Sequence, residues 1–123
     1  MPARRRIPVA AGREAVAQWA ALTDAGNVDP GMVAMAVRFS LEELAAVARG
    51  RSLEVRVPPW GAVQAVEGSV HRRGTPPAVV EVAPETWLGL VTGRVRWDDA
   101  VAAGDVDASG ERSDLSALLP LEL

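Results

Sequence analysis

The stretch from Ala78 to Gly110, AVVEVAPETWLGLVTGRVRWDDAVAAGDVDASG, constrains the fold more than any other part of the chain. Its β-branched run, Val79 to Val82, reads as a strand that must stop at Pro84. After Pro84 the apolar residues take helical spacing, with Trp87, Leu90 and Val91 at i, i+3 and i+4 and Leu88 widening the stripe. Gly93 offers the left-handed backbone at which helices end, and Arg94 follows as a cation for the negative helix end. A second, shorter helix is predicted from Trp97 to Ala103, with Asp98 and Asp99 in its first turn and Gly104 closing it. Val106 to Ser109 then returns as a strand ended by Gly110. None of these side chains is a nucleophile, so the stretch specifies a scaffold and leaves the function open.

Upstream, the pattern predicts helices first and strands second. Gly12 to Leu22 places Val16, Trp19 and Ala20 on one helical face, and Thr23 to Gly26 ends it. Asp29-Pro30 is a helix start, with Asp accepting from free amides and Pro in the first turn. Met32, Met35, Ala36 and Phe39 then form an apolar stripe. Ser40-Leu41-Glu42-Glu43 has the form of a capping box, which predicts a break or kink and a new helix to Arg49, faced by Leu41, Leu44, Ala45 and Ala48. Ser52 to Val57 alternates as a half-buried strand does, and Pro58-Pro59 interrupts its ladder. Ala62 to Glu67 is the partner strand, and Val70 to Arg73 a third, short one. Ser113 or Asp114 would cap a last helix faced by Leu115, Leu118 and Leu119 and ended by Pro120. Helices, strands, two helices, a strand and a helix make an α+β layout, with an antiparallel first hairpin and helices on one face of the sheet.

Several of these segments together resemble the sterol carrier protein type 2 superfamily, particularly its bacterial members. The helix ending Thr92-Gly93-Arg94 and the short helix ending Ala103-Gly104 carry the likeness, with the strand closed by Ser109-Gly110. Arg56-Val57-Pro58-Pro59, Gly61-Ala62-Val63-Gln64 and Arg73-Gly74-Thr75-Pro76-Pro77 extend it upstream, so that it spans Ser52 to Leu121. The resemblance implies a five-stranded, mostly antiparallel sheet whose helices enclose a hydrophobic tunnel. In the family an aspartate commonly precedes the helix-starting proline. Here that residue is Ala83, which cannot accept from the first-turn amides.

Composition narrows the function. The chain has 123 residues, enough for one domain with its own core. We expect a flexible terminus over residues 1–11, a helical segment over 12–50 and the core sheet with its helices over 52–121. A net charge of −3 argues against a nucleic-acid partner. With no cysteine there are no disulfides, thiolate metal sites or thiol chemistry, and with no lysine there is no Schiff base. Arg4-Arg5-Arg6 resembles the start of a signal peptide, but Gly12, Arg13 and Glu14 interrupt the apolar run after it. No segment approaches the ~18 apolar residues of a membrane span. A cytoplasmic protein without stable membrane insertion is the expectation.

Candidate chemistry is sparse. His71 is the only histidine, and Ser69, two residues away, lies in no nucleophile elbow. One histidine cannot supply the usual catalytic metal ligands. Asp105, Asp107, Glu111 and Asp114 lack the glycine and glutamate spacing of a calcium loop. There is no phosphate-cradling glycine motif. No enzyme, metal or cofactor is therefore expected. Arg56, Gln64, His71 and Arg73, with Glu81 nearby, alternate with apolar residues on neighbouring segments. They suit either a carboxylate or phosphate head group, or cross-strand pairs that only set register. Trp60, Trp87, Leu90, Leu115, Leu118 and Leu119 supply a large apolar surface and are the candidate ligand contacts. Two functions follow: a carrier for an apolar small molecule or lipid, or an accessory, protein-interaction domain with a filled core.

Overall fold

The computed structural model describes residues 7–68, 78–110 and 113–123. In chain order the elements are α1 (Val9–Leu22), a 3-10 turn (Thr23–Ala25), α2 (Pro30–Val47), β1 (Leu53–Val57) and β2 (Gly61–Ala65). After them come β3 (Ala78–Val82), α3 (Pro84–Thr92), α4 (Trp97–Ala102) and β4 (Val106–Ser109). The sequence pattern from Ala78 to Gly110 is reproduced to within a residue at each boundary. Gly93 does end α3 in the left-handed region, at φ 81°. There Val95 N–H donates to Gly89 C=O at 3.0 Å, closing the turn that aims α4 away from α3.

The sheet corrects the expectation of five mostly antiparallel strands. Among the described residues it has four strands in the order β2-β1-β3-β4, and it is mixed. β1 pairs antiparallel with β2, but its other neighbour is β3, and that central pairing is parallel. β4 then pairs antiparallel with β3. The alternation in β1 and β3 fixes which face of each strand is buried but carries no information on direction. Parallel pairing requires a long crossover between the strands, and here β2 and residues 66–77 lie in that connection. The short third strand expected at Val70 to Arg73 lies outside the described residues.

One face of the sheet is the core face. Leu53, Val55, Val57, Ala65, Val80 and Val82 are buried there, and α2 packs across β2 and against α1 and α3. Each such side chain contributes on the order of 1.5–3 kcal/mol by leaving water. The other face carries Glu54, Gln64 and Val79 in one cross-strand row. Arg56, Ala62, Glu81 and Asp107 form the next. Its polar character follows directly from the two-residue period.

α2 departs from expectation in its middle. Asp29 caps it as predicted, accepting from Met32 N–H at 3.2 Å. The helix does not break at Ser40, however, and runs unbroken to Val47. Ser40 is fully buried and spends its hydroxyl elsewhere: it donates to Val37 C=O at 2.9 Å and accepts from the Trp87 indole N–H at 2.8 Å. A capping box needs a helix end, and tertiary packing provided a partner instead. Met35 likewise leaves the expected stripe and is exposed, because α2 turns Val33, Ala36, Val37 and Leu44 inward. α1 begins at Val9 rather than Gly12. Gly12 lets α1 pack closely on α2: a β-carbon there would overlap the Phe39 ring.

Directly after β2 the chain passes through a strained residue. Val66 has φ 67°, unusual for a β-branched side chain. Three hydrogen bonds hold it: its N–H donates to Ala48 C=O at 2.7 Å, and its C=O accepts from Ser52 N–H at 3.1 Å and Ser52 Oγ at 2.7 Å.

The last segment forms no regular helix. Asp114 accepts from Ser116 N–H at 2.8 Å, and the amides of Leu118 and Leu119 both reach back to Leu115 C=O. The Ser116 amide and hydroxyl hold the exposed Asp114 carboxyl below its ordinary range. A turn replaces the expected helix because Pro120 stops the ladder before a second turn forms. Leu121 N–H then donates to Val91 C=O at 3.1 Å, tying this segment to α3.

Candidate functional site

Three of the six apolar candidates belong to the interior. Trp87, Leu90 and Leu115 are fully buried in the core cluster. Trp87 projects from the first turns of α3 toward the middle of α2, where Ser40 satisfies its indole. Leu118 and Leu119 are half-buried against the same core, and so is Trp60. Trp60 follows the Pro58-Pro59 turn. Its N–H donates to Val57 C=O at 2.9 Å, and its C=O accepts from Arg38 Nε at 3.1 Å.

The polar candidates stand elsewhere. Arg56 and Gln64 are on the uncovered face of the sheet. Arg56 pairs with Glu54 at 2.6 Å, two residues back on the same strand and the same face. Gln64 accepts from Arg51 Nε at 3.3 Å. Glu81 is exposed beside Arg56 in the parallel register. His71 and Arg73 lie outside the described residues, as do Ser69 and Glu111. Among the described residues no group of three or more His, Cys, Asp or Glu side chains is placed to hold a metal ion.

A cleft of about 260 Å³ opens where α3, α4 and the last segment meet. Leu90, Val95, Trp97, Leu119 and Pro120 supply its apolar lining, and Gly93, Arg96, Asp98 and Ser116 complete it. Local structure explains the opening. The turn at Gly93 splays α4 from α3, and the segment after Leu115 crosses as a turn, too short to fill the space between them. Leu90 and Leu119 were legible as candidates, whereas Val95, Arg96 and Trp97 were not. Their signal was present in Val95-Arg96-Trp97, a cation between two apolar residues shortly after the helix-ending Gly93.

Arg94, beside this cleft, has a structural role. It reaches the end of α1 and the 3-10 turn after it: one guanidinium nitrogen pairs with Asp24 at 2.6 Å and another approaches Ala20 C=O at 3.4 Å. The guanidinium stands 5.8 Å from the Trp19 ring centroid, within the range of a cation–π contact. The cation expected at the end of α3 thus serves the end of α1. The buried Trp19 indole N–H finds no acceptor among the described residues.

The fold and this junction can now be set against known families. A family model described as bacterial SCP ortholog matches residues 29–121, from the cap of α2 to the last turn. The chain belongs to this bacterial sterol carrier protein-like family. No curated protein matches the chain. The sterol carrier protein-like region contains every strand of the sheet and the whole lining of the cleft. α1 precedes it and packs on α2 through Ala15, Val16 and Trp19.

Proposed function

We propose that this sterol carrier protein-like domain is a non-catalytic carrier for an apolar small molecule of lipid type, working as a cytoplasmic domain. Membership of the family over residues 29–121 is the observation that carries the reading. The cleft supports it, because an apolar lining with a few polar groups at its edge is the usual form of a small-molecule site. Leu119, half-buried at the cleft, contacts the ligand, with the fully buried Leu90 behind it. Among the described residues no helix is long and apolar enough to cross a membrane.

A second reading, an accessory domain with a filled core, is favoured by the complete burial of Trp87, Leu90 and Leu115. Packing of that kind replaces ligand contacts with protein contacts. Native mass spectrometry of freshly purified full chain separates the two. An adduct of lipid-like mass that is lost on mild activation supports the carrier. A ligand-free mass that persists after incubation with fatty acids and sterols supports the accessory domain.

A further inference from the structure

The uncovered face of the sheet has two halves of opposite charge. Arg56 stands on β1, and Arg51 reaches the same side through its bond to Gln64 of β2. Glu81 and Asp107 stand on β3 and β4. All four residues are exposed. Within one copy the acidic half is poorly placed: Glu81 lies directly opposite Asp107 in the antiparallel register, and like charges so paired destabilise a sheet. Arg56 is the parallel neighbour of Glu81 on the other side. Its Nε and Nη2 nevertheless turn along β1 to Glu54, at 2.8 and 2.6 Å. The Nη1 nitrogen brings two further N–H donors.

A two-fold axis running along the strands, between β1 and β3, relates the two halves. It exchanges β1 with β3 and β2 with β4 and leaves the position along the strands unchanged. Ala62, Arg56, Glu81 and Asp107 share one cross-strand row. Each Arg56 would therefore lie over Glu81 of the other copy, with the small Ala62 over Asp107. Facing sheets pack ~10 Å apart, a gap that an arginine and a glutamate side chain span together. A cationic partner of another kind would suit Glu81 and Asp107 but be repelled by Arg51 and Arg56, whereas a second copy matches both halves. We propose that the uncovered sheet face is where two copies of this chain meet, related by this axis and held by reciprocal Arg56–Glu81 pairs. Four strands of four or five residues make a face of roughly 19 by 16 Å. That is well below the ~800 Å² per partner of a stable interface, so the dimer is transient and weakened by salt.

Sedimentation velocity of the full chain, from micromolar to millimolar concentration at low and high salt, tests this beside Arg56→Glu and Glu81→Arg. The wild-type chain is expected to move towards the dimer mass as concentration rises, and less so at high salt. Both residues are exposed, so the variants are expected to melt as the wild type does. Each reversal sets like charges face to face at two symmetric places and is expected to weaken association about fivefold or more. An equimolar mixture of the two variants is expected to recover it, because opposite charges meet only in the mixed dimer. A wild-type chain that stays monomeric at millimolar concentration would overturn the proposal. So would a dimer indifferent to both reversals, or a mixture that associates no better than its parts. Shifts of the Glu81 and Asp107 amides on adding hexalysine to a monomeric chain would also overturn it, and would assign the face to a cationic partner.

Discussion

The layer of α1, α2 and α3 over the sheet and the junction of α3, α4 and residues 113–123 use similar side chains under different backbone constraints. In the layer, helices and strands satisfy their own amides. Phe39, Leu44, Val55 and Trp87 can then be drawn in until no surface remains exposed. At its centre the Ser40 hydroxyl accepts from the Trp87 indole N–H. In the junction the backbone is held by turns, with Leu118 and Leu119 bonded to Leu115 and Leu121 to Val91. Turns leave their side chains less closely apposed, so Leu118, Leu119 and Leu121 stay half-buried and the cleft persists. Close packing makes the layer rigid to insertion, since displaced contacts must be replaced. The junction has few contacts to lose, which makes it the part of the molecule suited to a guest.

The contrast can be broken most decisively at Trp87. Trp87→Ala is expected to cost about 3–5 kcal/mol of unfolding free energy, the range for an aromatic removed from a close-packed interior. Denaturant unfolding at constant m-value measures it. A loss below about 1 kcal/mol would mean that Trp87 already borders empty space, and the distinction between the two regions would fail. A smaller effect is expected at Ser40. Ser40→Ala leaves the buried Trp87 N–H without an acceptor, at a cost of about 1–3 kcal/mol. An unchanged midpoint would show that water reaches that indole and that the layer is less closed than its burial suggests.

The smallest effect sharpens the picture at the start of α3. Ala83 occupies the cap position in extended backbone, at φ −65° and ψ 152°, and makes no side-chain bond to the helix. Ala83→Asp is expected to stabilise the protein by ~0.5–2 kcal/mol by accepting from a first-turn amide. A lower denaturation midpoint would show that Ala83 packs where an aspartate cannot fit.

These regions also differ in how much of them the sequence discloses. The elements from Ala78 to Gly110 are legible because each boundary has a local cause: Pro84 starts a helix, Gly93 ends one, and alternation marks the strand. Asp29-Pro30 is legible for the same reason. Strand direction is not, since Leu53, Val55 and Val57 alternate identically whether the neighbour runs parallel or antiparallel. Ser40 misleads because its hydroxyl serves a residue 47 positions away, whereas a capping box is inferred from residues three apart. Of the site, Leu90 and Leu119 follow from apolar spacing. Arg96 does not, because only the meeting of α3, α4 and the last turn places it at the edge of the cleft. Arg56 and Gln64 have partners, Glu54 and Arg51, that spacing alone does not choose.

The central claim is that an apolar ligand enters the junction and leaves the packed layer undisturbed. Proton–nitrogen correlation spectra of the full chain titrated with octanoate test this directly, because the tryptophans report from both places. Trp97 lines the cleft, while Trp87 lies in the layer with its indole bonded to Ser40. The expected result is a saturable shift of the Trp97 indole and of the Gly93, Val95, Arg96 and Leu119 amides, with the Trp87 indole unmoved. Movement of the Trp87 indole and the Val55 and Val80 amides while the cleft amides stay fixed would contradict the account, and so would spectra that do not change at all.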